Sequence, residues 1–290
     1  MGLAFGVLAA LLLVAPVLMV LSARAPVSRA RVERFARRQR LRITPDNGNQ
    51  VIAYLATTRR WRVAGLLTAY GLALGWGVQA AFHDDEGSIG LLQLLSGWFI
   101  GAIIAEARLV RRPAGERRAA SLRPREPSAY LSPPARVVLP AALVASLAVA
   151  VVTLVAAAVG LGPDGLAAVV GLAAAATVSA IVQVVRRRVL DRPQPVAPPD
   201  QVEADDAIRS RSLHVLAAAG AVLVLYAVAH QLRALSLAFP GAEAGFLAVL
   251  LVLNVGAPVL GWIVATRPWS ASPGRLPESP SPAAPSAELG

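Results

Sequence analysis

Apolar residues run in long, nearly uncharged stretches along this chain, separated by segments dense in arginine. Seven stretches are long enough to cross a hydrocarbon core as helices, which takes about 17–25 residues at 1.5 Å rise. They are 3–21, 63–82, 89–105, 137–159, 166–185, 213–232 and 246–265. Backbone groups in lipid must be satisfied internally, so single segments of this kind are helices rather than strands. The pattern predicts an all-α fold: a polytopic membrane helix bundle of seven transmembrane helices.

Arginine placement predicts the orientation. Segment 23–62 holds eleven arginines, 106–136 eight, 186–212 six and 266–290 two, which is 27 of the 28. The opposite connections carry Arg233 alone against Asp84, Asp85, Glu86, Asp164 and Glu243. By the positive-inside rule the N-terminus is outside and the C-terminus cytoplasmic. For the first stretch a cleaved signal peptide competes, since Ser22-Ala23-Arg24-Ala25 loosely resembles a processing site. Met1-Gly2 lacks a basic flank and the arginines follow the apolar run, which favours an uncleaved anchor.

Composition sharpens the class. The chain has 290 residues, 56% hydrophobic and 16% charged, with mean hydropathy +0.59; soluble domains carry about 25% charged residues. There is no Cys, which excludes disulfides, thiolate metal sites and iron–sulfur clusters. Every basic residue is Arg, and with the alanine excess this looks like a GC-rich bacterial genome. A pI near 11.4 would point to nucleic acid in a soluble protein. Here the anionic partner is the lipid bilayer, through anionic inner-leaflet headgroups, and no nucleic acid is expected. The expected location is a bacterial plasma membrane.

The chain divides into an anchor helix (1–22), a basic cytoplasmic segment (23–62), three transmembrane hairpins (63–265) and a Pro/Ser-rich tail expected to be disordered (266–290). The hairpins, 63–105, 137–185 and 213–265, start at similar spacings, as a triplicated unit would. Their residue identity is poor, so a plain alternating rhythm explains them equally. No soluble segment is long enough for a catalytic domain. Within the basic segment, Val32, Phe35 and Ala36 fall at helical spacing among Arg31, Arg34, Arg37, Arg38, Arg40 and Arg42. This reads as a helix along the inner leaflet, guanidinium groups on headgroups; a solvated charge run is the plainer alternative. Thr44-Pro45-Asp46-Asn47-Gly48 reads as a turn, and Trp61 and Trp269 as interfacial anchors.

Within the first hairpin, Gly71, Gly75 and Gln79 lie on one helical face, and Gln93, Gly97 and Gly101 repeat the spacing in reverse. Pairing Gly71 with Gly101, Gly75 with Gly97 and Gln79 with Gln93 gives one constant index sum, as equal depth in an antiparallel hairpin requires. The expectation is a close glycine contact with facing glutamines.

Two polar sets sit in the later spans. Tyr226, His230 and Arg233 form a stripe that is either a relay or an interfacial belt. Asn254, with Pro258 removing the hydrogen bond to its carbonyl, marks either a kinked polar midpoint or a helix–helix contact. Glu106, ending the third span, is expected to reach towards Arg108 or Arg111. The acidic run His83-Asp84-Asp85-Glu86 reads as a solvated loop rather than a cation site. Phosphate-loop, zinc-helix and nucleophile-elbow motifs are absent, so no cofactor, metal or catalytic residue is expected.

Three phrases resemble ones in uncharacterised multi-pass integral membrane proteins of high-GC Gram-positive bacteria. They are Ala53-Tyr54-Leu55-Ala56-Thr57-Thr58-Arg59-Arg60-Trp61-Arg62, Ser121-Leu122-Arg123-Pro124-Arg125 and Asp206-Ala207-Ile208-Arg209-Ser210-Arg211-Ser212-Leu213. The resemblance implies a membrane location and carries no activity. It also implies that the inner segments are more constrained than charge runs need be. The expected role is a non-enzymatic accessory or scaffold protein with a membrane or cytoplasmic protein partner. A transporter or permease subunit with a polar site on the last two helices is the alternative.

Overall fold

The computed structural model describes residues 14–82, 91–110, 118–119, 127–161, 165–195 and 197–267. Segment 83–86, Trp269 and the tail lie outside the described residues. In chain order the elements are α1 (Val14–Arg24), α2 (Arg29–Gln39), α3 (Pro45–Phe82), α4 (Leu91–Val110), β1 (Arg118–Ala119) and α5 (Pro127–Tyr130). They continue with α6 (Pro133–Ala158), α7 (Leu166–Asp191), β2 (Gln194–Pro195), α8 (Pro199–Ser236) and α9 (Glu243–Thr266). The two strands form one short antiparallel pair, Arg118 opposite Pro195. All else that is regular is helix. Among the described residues four helices, α6 to α9, are long and apolar enough to cross a membrane, the make-up of an integral membrane protein.

The side-chain pattern explains how they pack. On α6 the buried residues are Ala135, Leu139, Ala142, Ser146, Ala150, Thr153 and Ala156, a three-and-four-residue stripe composed mostly of small side chains. On α7 the buried stripe includes Ala168, Gly171, Ala175 and Ser179. Large aliphatics take the other side: Val144, Leu147, Val155, Val169, Val170 and Ile181 are exposed. Small inside and large outside reverses the soluble arrangement. It is what helices do when surrounded by lipid, where close backbone approach rather than apolar burial drives association.

Helix α8 is the axis. Of its apolar window 89% is buried, against 28%, 33% and 17% for α6, α7 and α9. It packs against α3, α4, α6, α7 and α9. The run Ala217-Ala218-Ala219-Gly220-Ala221 is buried, so neighbours crowd its backbone; a methyl on Gly220 would press on Val182 and Leu139.

Two helices extend well beyond their expected spans. Helix α3 starts at Pro45 and α8 at Pro199, so both carry helical structure deep into the arginine-rich segments. Proline suits a first turn, because its missing N–H would be unbonded there anyway. The expected turn at 44–48 is therefore the start of α3. Asn47, fully buried, accepts a hydrogen bond from the Thr44 N–H at 3.0 Å and donates to the Arg42 carbonyl at 2.8 Å.

Helix α2 lies under the bundle. Arg40 takes a left-handed conformation (φ 52°), which ends the helix and turns Leu41 inward. Phe35, Leu41, Val51, Tyr54, Leu109 and Ile208 form one apolar cluster joining α2, α3, α4 and α8. The face that sequence reading assigned to the lipid is thus occupied by protein. Arg31, Arg34, Arg37, Arg40 and Arg42 remain exposed, while the Arg38 guanidinium sits 5.7 Å from the Trp262 ring of α9.

The α3–α4 hairpin is close, but in a different register from the expected one. A Cβ on Gly97 would collide with the Gly65 carbonyl and Ala69, and one on Gly101 with the Trp61 carbonyl. Gly71 and Gly75 meet nothing among the described residues. The contact therefore uses Gly65 and Ala69 of α3, roughly two to three helical turns before the glycines expected from equal depth. Equal depth presumes helices of matched length about a symmetric turn. Here Gly65, flanked at helical spacing by Ala69 and Ala73, supplies the flatter face, and close backbone approach selects it. The side chains of Gln79 and Gln93 lie outside the described residues.

Candidate functional site

Buried polar side chains gather where α8 passes from its polar first half into its apolar second half. Asp205, Asp206, Arg209, Ser210, Ser212 and His214 are all buried there. An unpaired ion at this depth would cost several kcal/mol, so the partners decide what the cluster is for.

Arg209 is fully buried and fully engaged on one side. Its Nη1 donates to the Val189 and Leu190 carbonyls at 2.9 and 2.8 Å, and Nη2 to the Arg192 carbonyl at 3.0 Å. Nη2 also meets the Asp205 carboxylate at 2.9 Å, and Asp205 receives Arg192 on its other oxygen. One guanidinium thus caps the end of α7, where carbonyls lack intrahelical donors and the helix dipole favours a cation. Beside it the Tyr130 hydroxyl donates to Asp206 at 3.2 Å, and Ser210 donates to the Tyr130 carbonyl at 2.8 Å.

His214 joins α6 to this group. The Ser132 N–H donates to His214 Nε2 at 3.2 Å, so that nitrogen is the acceptor. The proton is then on Nδ1, which donates to the Ser210 carbonyl at 2.9 Å. Ser132 immediately precedes α6, so a neutral imidazole caps that helix. Every contact in this half is structural.

The second half of the layer has surplus charge. Tyr54 of α3 donates to Glu106 of α4 at 3.1 Å, both buried. Around the carboxylate stand the Ser212 hydroxyl, Arg62 and Arg211, with Arg38 beyond Arg211. Among the described residues, the buried Glu106 Oε2, Arg62 Nε and Arg211 Nη1 atoms have no hydrogen-bond partner. Glu106 lies one residue past the expected span. Burial pushes its carboxyl above the ordinary range, while Ser212, Arg62, Tyr54 and Arg211 pull it back. Burial and the facing carboxylate likewise raise the Tyr54 phenol. Glu106 therefore turns inward to Tyr54 rather than along the surface to Arg108, which stacks 5.0 Å from the Trp61 ring instead. Arg62 similarly faces Trp98 at 5.9 Å.

The candidate residues on the last helices are not brought together. Tyr226 is buried among Val222, Ala257 and partly buried Leu95 and Phe99, its hydroxyl without a partner among the described residues. His230 and Arg233, on the same helical face as Tyr226, are exposed where it is buried, and Arg233 makes no ion pair with Glu243. Asn254 donates to the Leu250 carbonyl one turn earlier, at 2.7 Å, and Pro258 is partly buried beside it. Between His230 and Arg233 lies a residue that sequence reading passed over. Gln231 is fully buried. With its amide oriented to match donors to acceptors, it donates to the Ser146 carbonyl at 3.1 Å and accepts from the Leu172 N–H at 3.0 Å. The missing side chain at Gly171 makes that room.

Two of the three family-like phrases meet in this layer. Tyr54 and Arg62 come from the first, and Asp206 to Ser212 from the last. The i, i+4 pair of Asp205 and Arg209 was the signal available in the sequence. No family model, no curated protein and no solved structure matches the chain.

Proposed function

We propose that the chain is a seven-span bacterial plasma-membrane protein with its N-terminus outside and its C-terminus cytoplasmic. In this reading α1, the apolar half of α3 and α4 supply three spans beside α6 to α9. Its role is that of a non-enzymatic accessory or scaffold protein, whose basic cytoplasmic face docks anionic headgroups or an acidic protein partner. The observation that carries the role is the fixing of α2. Its apolar face is packed on α3, α4 and α8, so Arg31, Arg34, Arg37, Arg40 and Arg42 are presented from a rigid support. Each arginine near an anionic surface contributes about 1 kcal/mol, and a rigid row loses little of it to ordering.

The test is vesicle docking. A protein reconstituted inside-out, so that its arginine face is accessible, captures anionic vesicles and not zwitterionic ones, and Arg31→Gln/Arg34→Gln/Arg37→Gln reduces capture. Equal capture of both vesicle types removes the reading. Reporter fusions after Gly165 and Ala244 should report the outside, and fusions in the arginine-rich segments the cytoplasm. The alternative, a transporter or permease subunit, is favoured only by the unbonded inward hydroxyl of Tyr226. It requires loss of phenotype at normal abundance in Asn254→Ala or His230→Ala.

A further inference from the structure

Helices α3 and α4 alone enclose a furrow of about 650 Å³, open on its outer side. Its floor is made by Gly65, Ala69 and Gly97, with Trp61, Trp76 and Ile104 among its walls. The floor is deep because a side chain on Gly65 or Gly97 would strike backbone of the facing helix. Trp61 and Trp76 lie fifteen residues apart, about 22 Å along the helix. A second depression of about 450 Å³ lies between α1 and α3, lined by Val20, Ala23 and Leu67, and shares Ala64 with the first.

Both hollows open at the arginine-rich end among cations. Arg24 and Arg60 line the second hollow, and Arg108 stacks on Trp61 at the mouth of the first. All three are exposed. Among the described residues, none has a carboxylate within ion-pair distance. Trp61 stands at the level where indole rings favour the headgroup boundary.

We propose that these hollows form the site of one anionic glycerophospholipid from the arginine-side leaflet. Its acyl chains lie in the hollows on either side of Ala64, and its phosphate rests on Arg60 and Arg108, with Arg24 closing the rim. The volumes are those of a single ligand. A helix of another chain, 10–12 Å across, would be held by the outer walls, and its polar end would find cations with no acid to balance them. The inference rests on the membrane reading above, but not on α2 docking vesicles.

The full chain, purified in detergent and stripped of lipid, is titrated with phosphatidylglycerol, with phosphatidylcholine of the same chains, and with inorganic phosphate. Thermal unfolding and native mass spectrometry follow binding. Phosphatidylglycerol should raise Tm more than phosphatidylcholine and remain as a one-to-one adduct. Arg60→Gln/Arg108→Gln should weaken the phosphatidylglycerol complex about 30-fold, to the phosphatidylcholine level. Ala64→Phe or, should that variant fold poorly, Thr68→Trp should abolish both adducts by filling the hollows. Arg31→Gln/Arg34→Gln/Arg37→Gln should leave the lipid adduct unchanged, which separates this site from vesicle docking. Equal binding of the two lipids, an undiminished preference in the arginine variant, or adducts that survive filling would each overturn the proposal. So would an equal Tm shift from inorganic phosphate, which would mark a free-anion site, or a second copy of the chain in place of the adduct.

Discussion

Arg209 and Asp205 stand one helical turn apart on α8, and their 2.9 Å contact is buried almost completely. The pair is not self-contained: it also satisfies the end of α7 through the carbonyls of Val189, Leu190 and Arg192. Removing the arginine leaves the acid with Arg192 alone and strands the helix terminus.

Arg209→Gln should therefore destabilise the protein by about 3–5 kcal/mol, as loss of one partner from a buried pair does. Arg209→Lys should recover little, because one ammonium cannot reproduce the fork of a guanidinium. Reversible unfolding in mixed detergent micelles measures both. A cost for Arg209→Gln no larger than that of an exposed arginine such as Arg37→Gln would contradict the assignment.

At the α3–α4 contact the glycines differ in kind. Gly65→Ala and Gly97→Ala push a methyl into facing backbone and should cost about 1–3 kcal/mol each, as overpacking does. Gly75→Ala meets open space and should be neutral or slightly stabilising. Comparable losses at Gly65 and Gly75 would favour the equal-depth register instead.

Glu106 links stability to pH. Burial raises its carboxyl, outweighing the opposing pull of Ser212, Arg62, Tyr54 and Arg211. A carboxyl whose folded value lies above its unfolded one, about 4.3, stabilises fully below that unfolded value. The contribution is lost as pH rises through the folded value. The wild type should accordingly gain stability on acidification from pH 8 to pH 5 relative to Glu106→Gln, in which the group no longer titrates. Parallel curves for the two proteins would show that the carboxylate is held charged by its arginines.

Gln231 offers a test in the apolar half of α8. Gly171→Ala places a methyl on the Gln231 side chain and should expel it, while Gln231→Leu should cost about 0.6–2 kcal/mol, the range for a hydrogen bond between membrane helices. Because the two residues touch, their effects should not add. A double variant that loses the full sum of both would show that they act independently.

Hydropathy made the apolar helices legible, and little else. The ends of α6, α7 and α9 fall near the expected spans because lipid exposure writes itself as uninterrupted Val, Leu and Ala. Lipid does not dictate where a helix starts, so the polar half of α8 reads as a loop. Equal depth placed Gly75 against Gly97, but depth says nothing about which face is flat, and Gly65 won the contact. The buried group around Arg209 was hidden for a related reason. In a chain with 28 arginines, a structural guanidinium looks like any topogenic one until the acid one turn away is considered. Gln231 went unread because polar spacing at Tyr226, His230 and Arg233 drew attention to the adjacent face.

The position of α8 bears on how such a chain is made. The element that touches nearly every other begins only at Pro199, after α1 to α7 have been synthesised. Until it leaves the ribosome, the small-residue stripes of α6 and α7 and the open carbonyls of α7 have nothing to close upon. A nascent protein halted before that point would sit in the bilayer as loosely associated hairpins with exposed polar ends, open to membrane proteases. Arrival of the eighth helix would then close the bundle, joining hairpins that had formed before it.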